Sequence, residues 1–306
     1  MIDVRLLGTG GMMPLPDRWL SSLLLRCESE MTLFDCGEGT QVPMRESGWG
    51  FKRLSSIVLT HLHADHVMGL TGVLFSVANA GRTEPLTIYG PPGTLQVAQA
   101  LTIVVPGLSM EVMVQEVTAG DRLGLPADLD LTVGQANHRE TCFFYRVDRA
   151  RVPRFDADRA RESGIPVEFW SKLQQGESVV WEGRTYQSIE FAGPPRRGVS
   201  LGFATDSRPV PEMPETLQGV DLLVCEGTYG DDADSEKAIQ KTHMTFREAA
   251  TIAKESDAGA LWLTHFSPAV ADPQAFLENA TAVFPITTIG YSGLETTIAF
   301  AKDSLA

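Results

Sequence analysis

Cysteine is nearly absent from this sequence. Its 306 residues include only Cys27, Cys36, Cys142 and Cys225, with no Cys-x-x-Cys pair. That excludes a disulfide framework or a thiolate metal site as the organising device and leaves reduced, cytoplasmic thiols as the reading. Long apolar runs are missing too. No stretch reaches bilayer-spanning length, and Met1-Ile2-Asp3-Val4-Arg5 starts as a strand, not as a charged-then-apolar leader, so a soluble protein with no membrane partner is expected. Positive charge is in short supply: 25 Lys and Arg stand against 39 Asp and Glu, a formal charge of -14. A mean field of that sign repels phosphate, so a polyanionic partner would need a local basic patch. Histidine is scarce as well, with six residues in all.

What is present is ample core material, 43% apolar. Short β-branched or leucine-rich runs over 2–7, 31–34, 55–59, 221–225 and 260–263 are bounded by Gly, Pro or Asp, and helix-period segments over 39–47, 67–80, 93–105, 245–256 and 273–284 lie between them. Consecutive strands followed by strand–helix alternation predict two sheets packed face to face with helices outside, a four-layered α/β architecture in a single domain over 1–306. Residues 146–197 depart from this pattern. Periodicity fades, Pro and Gly are frequent, and ten Lys and Arg accompany eight acids, against 15 and 31 in the remainder. Such a segment reads as an inserted, protruding arm, and either a solvated loop or a binding surface would have this composition.

The histidines are not scattered. Three of them fall in Thr60-His61-Leu62-His63-Ala64-Asp65-His66, directly after an apolar strand-like run. Histidines at i and i+2 do not share a helix face, so this spacing implies a loop that turns after a strand. His61 and His63 would bind one metal, while Asp65 and His66 face a second. His138, Asp206 and His265 each close an apolar strand, at the end where α/β active sites collect. A lone histidine on an apolar run is more often a packed core residue, but together these positions make a seven-ligand, two-metal centre. Imidazole and carboxylate suit zinc, manganese or iron. Asp206 is the natural bridge, and Asp65 is placed to orient or deprotonate a nucleophilic water.

This constellation resembles the metallo-β-lactamase superfamily. Phe34-Asp35-Cys36-Gly37-Glu38-Gly39-Thr40-Gln41 and Leu263-Thr264-His265-Phe266-Ser267-Pro268 narrow the resemblance to the ribonuclease Z branch, the tRNA 3′-processing endonucleases, nearly end to end. The resemblance implies an αββα fold and two zinc ions, one on His61, His63 and His138, the other on Asp65, His66 and His265, with Asp206 bridging. It also implies Asp65 as proton acceptor, Asp35 as support for the metal loop, and a Glu226–His243 pair in which His243 protonates the leaving 3′ oxygen. A homodimer and a tRNA-binding arm follow from the same resemblance.

Departures fall where substrate is chosen. The loop Pro14-Leu15-Pro16-Asp17-Arg18-Trp19 keeps Pro14 and Arg18 but lacks the family's Lys and Asn, the motif at Cys225-Glu226-Gly227-Thr228 is altered, and the Gly/Pro-rich knob of the arm is weakened over 164–176. Precursor tRNA is the expected substrate. The alternative is a small phosphodiester or another small-molecule ester, with reduced tRNA recognition; a non-catalytic binding protein would have no need of all seven ligands.

Overall fold

The computed structural model of the chain describes residues 1–301, which form two mixed seven-stranded sheets and one hairpin. The first sheet holds β1 (Ile2–Gly8), β2 (Ser22–Cys27), β3 (Glu30–Phe34), β4 (Leu54–Val58), β5 (Leu86–Gly90) and β6 (Val112–Glu116). The second holds β7 (Arg122–Leu125), β8 (Leu129–Gln135) and β9 (Phe143–Arg151). After the hairpin of β10 (Val179–Trp181) and β11 (Arg184–Tyr186), it continues with β12 (Arg196–Ala204), β13 (Leu222–Glu226), β14 (Leu261–Thr264) and β15 (Thr287–Ile289). The last strand, β16 (Glu295–Ile298), returns to pair antiparallel with β1.

Parallel strands covered on both faces read as unbroken apolar runs, and β4, β13 and β14 have no exposed position. The two sheets meet through Phe34 of β3, whose ring lies 5.5 Å from Phe203 of β12 and 6.0 Å from Tyr145 of β9. Two hydrogen bonds also cross between them: Tyr145 Oη donates to the carbonyl of Leu59 at 2.7 Å, and the Phe143 N–H donates to that of Thr60 at 2.9 Å. Both lie just ahead of His61, so the loop carrying the candidate metal ligands starts from a doubly anchored point. Helices cover the outer faces. The helix Leu70–Asn79 packs Val73, Leu74 and Val77 onto the first sheet, and the helix Phe246–Glu255 packs Phe246, Ala250 and Ala253 onto the second. The architecture is the four-layered αββα arrangement expected.

The single helix expected over 67–80 is instead two, Ala64–Val67 and Leu70–Asn79, broken at Gly69. There the backbone N–H donates to the carbonyl of Cys36 at 2.8 Å, and a Cβ would come within 2.1 Å of the carbonyl oxygen of Gly37. Gly69 therefore lets the chain press onto the Cys36-Gly37 turn, at the cost of helix continuity.

By contact the described chain divides into two units, one of Met1–Arg149 with Val199–Ala299, the other of Ala150–Gly198 with Phe300 and Ala301. The second is shifted by a few residues from the arm expected over 146–197, and it is not irregular. It contains the helices Ala157–Glu162 and Trp170–Gln174, the first capped by the Asp156 carboxylate, and the β10–β11 hairpin. Ala160, Ile165, Leu173, Val179, Tyr186 and Phe191 make it a small core of its own.

Candidate metal centre

Four loops meet at one point of the first unit. From the end of β4, residues 59–63 carry His61 and His63 into the helix Ala64–Val67, which opens with Asp65 and His66. His138 follows β8, Asp206 follows β12 and His265 follows β14. Ligand atoms 2.0–2.1 Å from a tetrahedral zinc ion lie about 3.3 Å from one another, which sets the scale for a fit. His66 Nε2 and His265 Nε2 are 3.2 Å apart, each is 3.1 Å from Asp206 Oδ2, and each is 3.6 Å from Asp65 Oδ2. On the other side His63 Nδ1 is 2.9 Å from His61 Nε2 and 3.4 Å from His138 Nε2, with Asp206 Oδ1 3.9 Å from His61 Nε2. The carboxylate of Asp206 thus offers one oxygen to each group of nitrogens, and its buried Oδ2 has no hydrogen-bond donor committed to it. These spacings and donor types fit a divalent metal pair.

Four of the candidate ligands, His61, His66, His138 and His265, are oriented from behind. His66 Nδ1 lies 2.8 Å from Asp35 Oδ2, and Asp35 Oδ1 accepts the Thr60 N–H at 2.8 Å. Thr60 Oγ1 stands 3.1 Å from His61 Nδ1, Thr242 Oγ1 2.9 Å from His138 Nδ1 and Thr228 Oγ1 3.1 Å from His265 Nδ1. Such partners fix ring orientation and tautomer. Five residues of the site hold left-handed backbone conformations: Met12 at φ 69°, Asp35 at φ 53°, Asp206 at φ 51°, Thr242 at φ 60° and His265 at φ 56°. For non-glycine residues this is a strained arrangement. A side chain at Gly11 would reach within 2.5 Å of the His265 ring, so that approach is reserved for glycine.

The field in the cage favours cations. Burial disfavours a charge on His66, yet the carboxylates of Asp206 and Asp35 raise its pKa well above the ordinary value. His61 moves the other way, lowered by burial and by His66, as a neutral ligand imidazole requires. Asp65 loses solvation, which would raise its carboxyl, but His265 and His66 hold it well below the usual range. Its Oδ2 also accepts the Met12 N–H at 2.6 Å.

Beside the cage lies the Glu226–His243 pair. Glu226, fully buried at the end of β13, accepts from the N–H of Ser207 at 2.6 Å, from that of Met244 at 3.0 Å and from Thr228 Oγ1 at 2.5 Å, and its Oε2 is 3.2 Å from His243 Nδ1. Burial lowers the pKa of His243, but the charge of Glu226 and its hydrogen bond override this and raise it to about 9. The ring is stacked on His265, 5.4 Å between centroids. Arg208 ties the surroundings together, donating to the His243 carbonyl at 2.5 Å and to Glu248, while Thr245 and Glu248 form a reciprocal cap on the helix that follows. Thr245 thus caps the helix while His243 faces the cage.

The site opens into a cleft of about 510 Å³ whose walls include Met12, Arg139, Tyr229, Lys237, Lys241 and Pro268. Arg18 is not among them. Its guanidinium donates to the carbonyls of Val270 at 2.9 Å and Ala271 at 3.1 Å, so it braces the loop after His265 instead of facing substrate. Sequence reasoning missed Thr60, Thr228, Thr242, Arg208 and the Met12 amide. The available signal was a hydroxyl residue beside a ligand at a strand end, most visible in Thr60-His61.

Comparison with known proteins places these features. The profile of the anti-Pycsar protein Apyc1 matches residues 2–97, and that of a beta-lactamase superfamily domain matches residues 180–266. The chain is 41% identical over 303 residues to the ribonuclease Z of Lachnoclostridium phytofermentans, spanning 99% of this chain and 100% of that one. It is 42% identical to the ribonuclease Z of Clostridium acetobutylicum, over 95% of this chain and 96% of the relative. Among solved structures, the short form of human tRNase Z superposes with a TM-score of 0.71 at 26% identity, covering 97% of this chain and 100% of that one. The metallo-beta-lactamase fold protein YhfI from Bacillus subtilis, 20% identical, shares the fold with the same TM-score over 97% of this chain and 100% of its own.

Proposed function

The chain belongs to the ribonuclease Z family, and on that premise we propose that it cuts precursor tRNA at the 3′ side using two zinc ions held in the cage. It is a metal-dependent hydrolase, an endonuclease of tRNA 3′ processing. His61, His63 and His138 would hold one ion, Asp65, His66 and His265 the other, and Asp206 would bridge. Bound there, the pair supplies Lewis acidity toward the scissile phosphate and a water ionised near neutral pH. The observation that carries this reading is the division of the Asp206 oxygens between two sets of imidazoles.

The protein's own residues do the rest. Asp65, fixed by the Met12 amide, orients the attacking water and accepts its proton. The new bond joins the water oxygen to phosphorus, and the bond to the 3′ oxygen breaks opposite it. His243, its Nδ1 turned to Glu226, presents Nε2 to that leaving oxygen and gives it a proton, so the products are a 3′ hydroxyl and a 5′ phosphate. Glu226 is buried and acts through His243 as a positioning residue.

Ten basic residues between 146 and 197 support the arm as a tRNA-binding surface. Exposed Met68, Phe75, Leu95, Ile103 and Val104 on and beside neighbouring helices support a homodimer, and four buried, unpaired cysteines support a cytoplasmic location. Among the described residues no helix is long and apolar enough to cross a membrane.

The test is metal analysis followed by incubation with a precursor tRNA and with bis-p-nitrophenyl phosphate. Two zinc ions per chain and cleavage at the tRNA 3′ side are expected; hydrolysis of the small ester alone, with no tRNA binding at low salt, would overturn the substrate. Removing residues 151–193 should raise the KM for tRNA, and an unchanged KM would remove the arm from recognition.

A further inference from the structure

The cleft beside the cage has two unlike walls. On the side of Asp65 and His265 lie Met12, Met13 and Pro268. Next to His243 lie Lys241, two residues before it, Lys237 one turn earlier on the same helix, and Arg139, which is bonded to the Gln240 carbonyl. The second wall is unexpected in a body that, outside residues 146–197, carries 15 basic residues against 31 acidic ones. The cleft lining contains no acid beyond the candidate ligands Asp65 and Asp206.

Among the described residues these three cations make no ion pair shorter than 3.9 Å. Lys237 and Lys241 stand four apart on the helix Ser235–Lys241, a spacing that puts like charges on one face and destabilises a helix unless an anion sits between them. Among the described residues Lys237 reaches one acid, Asp234, at 3.9 Å, and lies over the Tyr229 ring at 4.9 Å. Arg139 donates to the Gln240 carbonyl at 2.9 Å, which brings its guanidinium to the end of the same helix. Among the described residues, no acidic side chain pairs with Lys241.

We infer that Arg139, Lys237 and Lys241 form a subsite for backbone phosphates of the strand on the 5′ side of the cut. The inference rests on the substrate and roles given under Proposed function. In an in-line displacement the entering and leaving oxygens lie on opposite sides of phosphorus. Asp65 marks the entering side and His243 the leaving side, so the nucleotide that departs with the 3′ hydroxyl, and the chain upstream of it, extend along the cationic wall. Arg139 follows the ligand His138 directly, and Lys241 precedes His243 by two residues, which fixes the subsite to the reacting centre. Sequence-independent phosphate contact is the chemistry such a wall provides, because it positions a strand without reading its bases.

The experiment uses the full chain with its metals and precursor tRNAs carrying one neutral methylphosphonate linkage, either just upstream or just downstream of the cut. In the native chain the upstream replacement should lower kcat/KM roughly tenfold, as loss of a hydrogen bond to a charged group does, and the downstream one less. The Lys237→Ala/Lys241→Ala chain should show a similar loss on the unmodified RNA, expressed in KM, with a log–log salt slope reduced by about 1 for each lysine. In that variant the upstream methylphosphonate should cost nothing further, and Lys241→Arg should restore most of the loss. Penalties that multiply independently, or a downstream penalty that vanishes instead, would overturn the subsite while leaving tRNA cleavage intact. A native chain that hydrolyses bis-p-nitrophenyl phosphate but leaves tRNA uncut would instead remove the substrate reading, and this inference with it.

Discussion

The two sheets contribute to the cage in unlike ways. The first delivers His61, His63, Asp65 and His66 from a single loop after β4, whereas the second delivers His138, Asp206 and His265 one at a time from three strand ends. A contiguous loop can be oriented by neighbours close in sequence, such as Thr60. Dispersed ligands must be oriented by partners brought in from elsewhere: Thr242 for His138 and Thr228 for His265. The second group also bears more of the backbone strain, at Asp206 and His265. Tertiary structure thus serves both halves, since Asp35 and Met12 reach His66 and Asp65 across 31 and 53 residues, and the first half has local support from Thr60 besides.

Replacing Asp206, the proposed bridge, should have the largest effect. Asp206→Ala should empty both metal positions and lower cleavage on the order of 10³-fold or more, given several kcal/mol of charge stabilisation from the metals. His63→Ala should leave one ion per chain by elemental analysis. If His63→Ala also lost both ions, the two halves would not be separable. Next comes His243, the proposed proton donor. His243→Ala should slow RNA cleavage by about 10²- to 10⁴-fold but slow bis-p-nitrophenyl phosphate hydrolysis much less, because p-nitrophenolate leaves without a proton. Equal losses on both substrates would assign His243 to metal or substrate positioning instead. The smallest effect distinguishes the support of the dispersed half: Thr228→Val should weaken metal affinity roughly 10- to 100-fold in a chelator competition, with the fold retained by circular dichroism. Unchanged affinity would mean that His265 needs no orientation from behind.

The same division explains what the sequence disclosed. The cluster at 61–66 is legible because its spacing alone demands a loop, and the isolated ligands are legible because histidine is scarce and each stands where an apolar run ends. Asp206 is one of 39 acids, and only its place after β12 singles it out. The break at Gly69 is set by the carbonyls of Cys36 and Gly37, more than 30 residues away in sequence, which no periodicity can report. The arm hides its order for another reason. Its helices, Ala157–Glu162 and Trp170–Gln174, are too short to display a full apolar period, so a folded unit with its own core reads as irregular chain. Arg18 shows a further limit, since a basic residue in a substrate-reading loop turns out to brace backbone carbonyls.

The left-handed conformations at Asp35, Asp206 and His265 bear on how this sequence would drift. Each such residue holds on the order of 1–3 kcal/mol of strain that glycine or asparagine would relieve. A laboratory lineage propagated for heat resistance alone, with no demand for catalysis, should accumulate Gly at Asp206 early, because its buried Oδ2 has no donor to lose, and should keep Asp35, whose carboxylate holds Thr60 and His66. Retention of Asp206 in a living population would thus register continuous selection on the reaction itself.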